Sequence, residues 1–382
     1  MGLMRSFFRI IACLAVSGFL PLSAAIQIGA VYSNSGDQAP LDEPSWRGAQ
    51  LAVAEVNKAG GIHGQQVELI RIRGNSTSAD IQKNVDQAVE NPSLVGLIGL
   101  SDSDLAYVAG REAIKAGIPF VTSGATSPKL PSVVGSGFYL ACFGDNMQAA
   151  TGAEWLLKAK GSQTAAILFD PRFTYTRLLK SYFSKAFRRG GGKITTQLAY
   201  TPGKPMLLTP AILKADAVFL SVESSDDAMP VIRQLRAAGY PGPIMGGDSY
   251  DTPYAWINNP YAQGVYYTTH AFPATGTGSA SQEASKAFSR NYKRTYDSNP
   301  DAFSALGYDA TRVLLRAIEK SGNPNGRNIR SVLASGVQLT GLTGPITLSK
   351  TNRIPQKPVA LVDASAPNNR KLQIIPSIVP KP

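Results

Sequence analysis

The run Ile26-Gln27-Ile28-Gly29-Ala30-Val31, followed by Trp46-Arg47-Gly48-Ala49-Gln50 and then Asn57-Lys58-Ala59-Gly60-Gly61-Ile62-His63-Gly64, decides the fold. The first piece is apolar enough for a short buried strand. Trp46, Ala49, Val53 and Val56 recur at helical spacing, which predicts a helix over 46–58. Gly60-Gly61 stops that helix. Residues 67–72 then alternate as a second strand. Strand, helix and strand in this order make a βαβ unit, the building block of a parallel sheet.

Moving toward the C-terminus, the same rhythm repeats. Helices are expected at 81–89, 105–115, 150–158, 178–188, 228–237, 281–296 and 302–320. Strands are expected at 94–98, 118–121, 165–169, 216–221, 243–245 and 265–268, and 346–375 reads as β-rich with several prolines. The fold class is α/β. One parallel sheet of so many strands would be unusually wide, so two helix-covered sheets are expected. In open α/β sheets ligands sit beyond the carboxyl ends of the strands. That rule points to 33–41, 100–104, 122–126, 170–175, 222–225 and 246–250.

Moving toward the N-terminus, residues 1–25 differ from the rest. Arg5 and Arg9 form a basic head, 10–22 is nearly all apolar, and Ser23-Ala24-Ala25 ends it with small residues. This is the three-part pattern of a secretory signal, with cleavage expected after Ala25 and a periplasmic location. A lipobox reading at Ile10-Ile11-Ala12-Cys13 competes, but only three apolar residues separate Arg9 from Cys13. Once Cys13 leaves with the leader, Cys142 is alone and reads as a buried small hydrophobe.

The chain has 382 residues, 43% hydrophobic and 17% charged, which is a globular composition. Its formal charge is +12, but the basic residues are scattered and no patch interleaves them with aromatics. Nucleic acid is therefore not an expected partner. No His-Glu-x-x-His, Cys-x-x-Cys or Gly-x-Ser-x-Gly motif occurs. Gly190-Gly191-Gly192-Lys193 lacks the spacing of a phosphate loop, and Gly276-Thr277-Gly278 lacks the dinucleotide pattern. The chain is read as a non-enzyme with no cofactor or metal. A carboxylate hydrolase built on Asp102, Asp104 and Asp248 stays as the rival.

The Gly-Gly-Ile-x-Gly turn after a long helix resembles the first unit of the type I periplasmic binding proteins, the leucine/isoleucine/valine receptors and their amide- and aromatic-acid-binding relatives. Ile98-Gly99, Gly117-Ile118-Pro119, Ser123-Gly124-Ala125-Thr126-Ser127-Pro128, Arg236-Ala237-Ala238-Gly239 and Gly307-Tyr308-Asp309-Ala310 follow in the family's order. The resemblance implies two doubly wound parallel-sheet lobes joined by three crossover strands. It assigns 26–144 plus 274–347 to one lobe and 145–273 plus 348–382 to the other. It also implies a monomer that binds a small molecule in the interlobe cleft and delivers it to ABC transporter permease subunits. A sensor-type binding protein uses the same cleft.

The same resemblance implies the site. Ser103 and Thr126, with the backbone of Gly124, would hold a ligand carboxylate at a helix N-terminus. Asp248 would hold an α-ammonium group. Leu41, Ser224, Phe303 and either Tyr175 or Thr174 would shape the side-chain pocket. Asp102 and Asp104 flank Ser103 where neutral residues are usual. They read either as helix caps or as cleft carboxylates, which would suit an amide, a polyol or a cation. His63 and His270 read as packed or surface residues.

Overall fold

The computed structural model describes residues 24–271, 279–365 and 373–375. The signal, Cys13 and the 276–278 loop lie outside these residues. Strand β1 (Ile26–Ser33) runs through the first sheet beside β2 (Val67–Gly74) and β3 (Leu94–Gly99). Short strands β4 (Phe120–Thr122) and β5 (Phe138–Leu140) complete the order β2-β1-β3-β4-β5, and every pair is parallel. Successive side chains point to opposite faces of a strand. Ile28, Ala30 and Tyr32 therefore pack with Ala49 and Ala52 of helix α1 (Ala39–Lys58). Val31 packs on the other face with Ile81 of α2 (Ser78–Val89) and Ala106 of α3 (Ser103–Lys115). Both faces are covered, as a parallel sheet requires.

After α4 (Leu130–Val134) and β5, the chain crosses to α5 (Asp145–Ala159) and a second sheet. That sheet alternates β6 (Thr164–Phe169), α6 (Thr174–Arg189), β7 (Lys193–Ala199), α7 (Pro210–Leu213), β8 (Ala217–Ser221), α8 (Ser225–Ala237), β9 (Ile244–Gly246) and β10 (Val265–His270). The chain returns through α9 (Ser279–Tyr296), α10 (Ala302–Ser321) and α11 (Gly326–Ser335) to the first sheet's side. There the hairpin β11 (Val337–Gly341) and β12 (Gly344–Leu348) joins the first core. A last crossing leads to β13 (Val359–Asp363) and β14 (Gln373–Ile375), giving the order β14-β13-β10-β9-β8-β6-β7. The second sheet is thus parallel through β10, with β13 antiparallel to β10 and β14 antiparallel to β13. The two doubly wound parallel-sheet lobes expected from the sequence are present, and the β-rich last stretch adds an antiparallel edge to the second sheet.

Two glycine pairs explain the quoted motifs. Helices α1 and α10 cross where Gly48 meets Ser304 and Gly307 meets Ser45. A Cβ at either glycine would lie within 2 Å of a carbonyl oxygen, at 1.8 Å and 1.9 Å respectively. In the turn after α1, Gly60 and Gly61 hold φ of 102° and 80°, which L side chains rarely adopt.

Several boundaries differ from the sequence reading. Helix α1 begins at Ala39 and includes Pro44. Pro44 forgoes the intrahelical bond that an N–H there would make to the Pro40 carbonyl. The strand β7 was not expected at all. Its residues Lys193, Thr195, Thr196 and Gln197 are mostly polar because it is an edge strand, and only part of it is covered.

Candidate functional site

The carboxyl ends of the strands of the two sheets face one another. Between them lies a void of about 20 Å³, room for about one water molecule. Gln38, Leu41, Ser101, Asp102, Thr126 and Phe303 line it from the first lobe; Tyr175, Glu223, Asp248 and Ser249 line it from the second. No lysine, arginine or histidine is in that lining. All but Phe303 come from the segments that follow strands, either their loops or, for Leu41 and Tyr175, the first turn of the next helix.

Of the residues expected at the site, Leu41, Thr126, Tyr175, Asp248 and Phe303 meet at this void. Gly124 sits just behind its wall, with Ser101 Oγ and Phe303 Cε1 within 3.0 Å and 3.2 Å of where a Cβ would stand. Ser103 and Ser224 are not in the lining. The Ser103 hydroxyl accepts a hydrogen bond from Ser127 N at 3.3 Å, tying two loops together. Ser224 is the N-cap of α8, accepting from Asp227 N at 3.1 Å. Glu223, one residue earlier, takes the place at the void. Of the pair left open, Tyr175 reaches the void, whereas Thr174 N donates to Asp104 Oδ2 across the lobes at 2.9 Å.

Asp248 is the best-held acid of the site. Its Oδ1 accepts from Gln148 Nε2 and Tyr175 Oη, both at 2.8 Å, and its Oδ2 lies 3.1 Å from His270 Nε2. His270 is not an isolated histidine: it ends β10, is buried, and stacks on Phe143 at 3.9 Å between ring centroids. Asp145 stands next to this group and accepts from Gln148 Nε2 at 3.0 Å. Burial pushes the Asp145 carboxyl up to about 8, with the neighbouring Asp248 adding to it.

A second acidic group bridges the lobes. Asp102 is the N-cap of α3, and its Oδ1 accepts from Leu105 N at 2.7 Å. Capping is therefore one of its roles, and facing the void is another. Glu223 Oε1 accepts from Gln38 Nε2 at 2.8 Å, again across the lobes. Asp102 Oδ2 and Glu223 Oε2 are buried without a donor from any third residue. Burial pushes Asp102 up to about 6, with the Asp104 charge adding to the rise and the Leu105 N–H and the Glu223 carboxyl working against it; burial and the facing Asp102 together push Glu223 well above the usual carboxylate range. Beneath them Asp42 accepts from Ser33 N at 2.8 Å, and burial raises it to about 7. Among the described residues, no three His, Cys, Asp or Glu side chains are placed to hold a metal ion.

Cys142 is fully buried, with Sγ 3.3 Å from Ala125 O, and burial pushes its thiol up. Reactivity needs the thiolate, so this cysteine fills the role of a small core residue. Among the described residues no helix is long and apolar enough to cross a membrane.

Two α/β lobes with a void at their facing strand ends define a two-lobed binding protein. The chain belongs to the periplasmic binding protein family, whose model matches residues 25–370. It is 26% identical over 349 residues to the Leu/Ile/Val-binding protein BraC3 of Rhizobium johnstonii, covering 90% of this chain and 93% of that one. The leucine binding protein LivK of Thermotoga maritima superposes with a TM-score of 0.81 at 24% identity, over 92% of this chain and 99% of that chain. A solute binding protein of an R. palustris ABC transporter, solved with benzoate, superposes with a TM-score of 0.75 at 19% identity, over 92% and 97%. The α/β lobes are those of the type I periplasmic binding fold, and these relatives are named as binding proteins, not enzymes.

Proposed function

We propose that this chain is the extracytoplasmic receptor of an ABC importer. It closes two lobes, 26–144 plus 274–347 and 145–273 plus 348–382, over an amino acid or a related nitrogenous solute. In this reading residues 1–25 direct export and are removed, and the mature protein acts as a monomer that presents its solute to permease subunits. The observation that carries the reading is the void itself. Both lobes build it, and Asp102, Glu223 and Asp248 line it with no basic side chain. Such a lining attracts a protonated nitrogen and repels a lone carboxylate. A benzoate-like acid, the kind of ligand named for three structural neighbours, is therefore the poorer fit. The void is smaller than any amino acid, so the solute enters by hinge opening of the lobes.

A thermal-shift screen of the mature protein tests this. The panel contains amino acids, amides, amines and benzoate. At about one hundred times its dissociation constant, a ligand adds about 2.7 kcal/mol to stability. A nitrogenous solute is expected to raise the melting temperature. A shift by benzoate alone overturns the reading.

A further inference from the structure

In the receptor reading, the remaining question is which charges the solute carries. The N-terminus of a helix at a cleft is a ready seat for a ligand carboxylate, because its free N–H groups and dipole favour an anion. At α3 that seat is filled from within the chain. Asp102 places its own carboxylate there and takes the Leu105 N–H at 2.7 Å. Asp102 also lines the void, and its second oxygen, Oδ2, is buried with no donor from a neighbouring backbone or amide; the group facing it is the Glu223 carboxyl.

Glu223 does the same from the opposite lobe, with Oε1 held by Gln38 and Oε2 without a donor from a third residue. Both residues are more than nine-tenths buried, at 6% and 4% exposure. Lobe closure therefore presses two carboxyl groups together in a dry site. In the empty site the Glu223 carboxyl, held well above the usual carboxylate range by burial and by Asp102, keeps the pair together through its proton. A solute cation takes that proton's place. A bare metal ion is the poorer choice, because the acids do not form a ligand cluster. The rest of the wall sets Leu41, Phe303 and the Tyr175 ring beside the polar Gln38, Ser101, Thr126, Asp248 and Ser249; its apolar part suits a carbon skeleton and a cation over an aromatic face.

We infer, resting on the receptor reading above, that the solute is an organic cation: a protonated amine or guanidinium compound without a free carboxylate, its cationic nitrogen seated between Asp102 and Glu223. In a chain of formal charge +12, this acidic void is a local inversion of the overall balance. Selection for the cation follows from the same arrangement. An amino acid would have to place its carboxylate near Asp102, Glu223 and Asp104, whereas the decarboxylated amine would not.

Matched pairs test the inference by isothermal titration calorimetry of the mature protein. The pairs are leucine with isopentylamine, phenylalanine with phenethylamine, lysine with cadaverine, and arginine with agmatine. At least one amine is expected to bind about ten-fold or more tightly than its amino acid. Asp102→Asn is expected to keep the α3 cap, since Asn caps as well as Asp, and so to keep the melting temperature. It and Glu223→Gln are each expected to weaken the amine by about ten-fold or more. Tighter binding of the amino acid in every pair that binds overturns this inference and leaves the receptor reading standing. Failure of every amine to bind, or full amine affinity in both folded variants, also overturns it. Binding of benzoate alone takes down the nitrogenous-solute reading as well.

Discussion

Two buried acids of this molecule are treated in opposite ways. Asp309, in α10, is fully buried, and every oxygen has a partner. Its Oδ1 accepts from Leu342 N at 2.7 Å; its Oδ2 accepts from Thr343 N at 2.9 Å and Thr343 Oγ1 at 2.6 Å. The Lys357 ammonium lies 3.6 Å away and is itself 1% exposed. Burial pushes that ammonium down, and Asp309 works against the shift. This cluster pins the last interlobe crossing to the first lobe. Asp102 and Glu223 are also buried, a little less deeply, yet face each other, and one oxygen of each has no donor from a third residue. The difference teaches where the fold is self-sufficient. Asp309 comes with a donor for each oxygen, while Asp102 and Glu223 each keep one oxygen for the acid opposite or, in the proposal above, for the solute's cation.

The comparison breaks first at Lys357. Removing one member of a buried ion pair leaves the other charge uncompensated, a cost of about 3–5 kcal/mol. Lys357→Met is expected to lose that much in urea unfolding of the mature protein. Adding Asp309→Asn should return part of it. A single-variant loss under about 1 kcal/mol would show that Asp309 is no better served than the cleft acids.

The pH dependence sharpens the comparison next. Asp102, Asp42 and Asp145 stand at about 6, 7 and 8, raised first by burial from 3.8. Glu223 is raised as well, and the groups facing these acids are chiefly the other carboxylates Asp104, Asp227 and Asp248. The basic groups against this set are His270, which lies against Asp248, and Arg172, which acts on Asp227. The folded protein therefore binds more protons than the unfolded chain between about pH 4 and 8. The stability these acids contribute is full below the unfolded value and is lost as pH rises through the folded values. Without ligand, stability is expected to fall by more than about 2 kcal/mol between about pH 5.5 and 8.5. Melts across that range measure it. A bound amine should flatten the fall, and a curve that rises with pH would contradict the raised carboxyls.

Much of this site was readable because strand ends in a parallel sheet share one edge. The loops at 33–41, 100–104, 122–126, 170–175, 222–225 and 246–250 contain every lining residue except Phe303. Phe303 follows no strand, and only the family resemblance pointed to it. Ser224 was placed one residue off. The pattern Ser224-Ser225-Asp226-Asp227 is a helix start, with an acid three residues after the cap. That commits the Ser224 hydroxyl to α8 and leaves Glu223 as the last residue free to turn inward. His270 was missed because its partner is 22 positions away. Only the β9–β10 register, with Gly246 beside Tyr267, sets the two strand ends side by side. The missed strand β7 has no apolar alternation because it is covered on one edge alone.

The smallest test lies between the two extremes. Asp248 lines the void like Asp102, but it is furnished with donors almost as fully as Asp309. Tyr175→Phe removes one of them, the 2.8 Å bond to Oδ1, and leaves Gln148 and His270 in place. A typical intramolecular hydrogen bond contributes about 0.5–1.5 kcal/mol. With two partners remaining and the ring still packed in its core cluster, the expected loss is about 1 kcal/mol. Thermal melts of the ligand-free protein read it directly. If Asp248 is a standing part of the fold, the loss appears without ligand and changes little when ligand is added. If instead Asp248 receives the solute's nitrogen, the ligand restores the missing donor. The variant's deficit then shrinks at saturation, and Asp248 joins Asp102 and Glu223 on the side of the acids that keep an oxygen for the solute's cation.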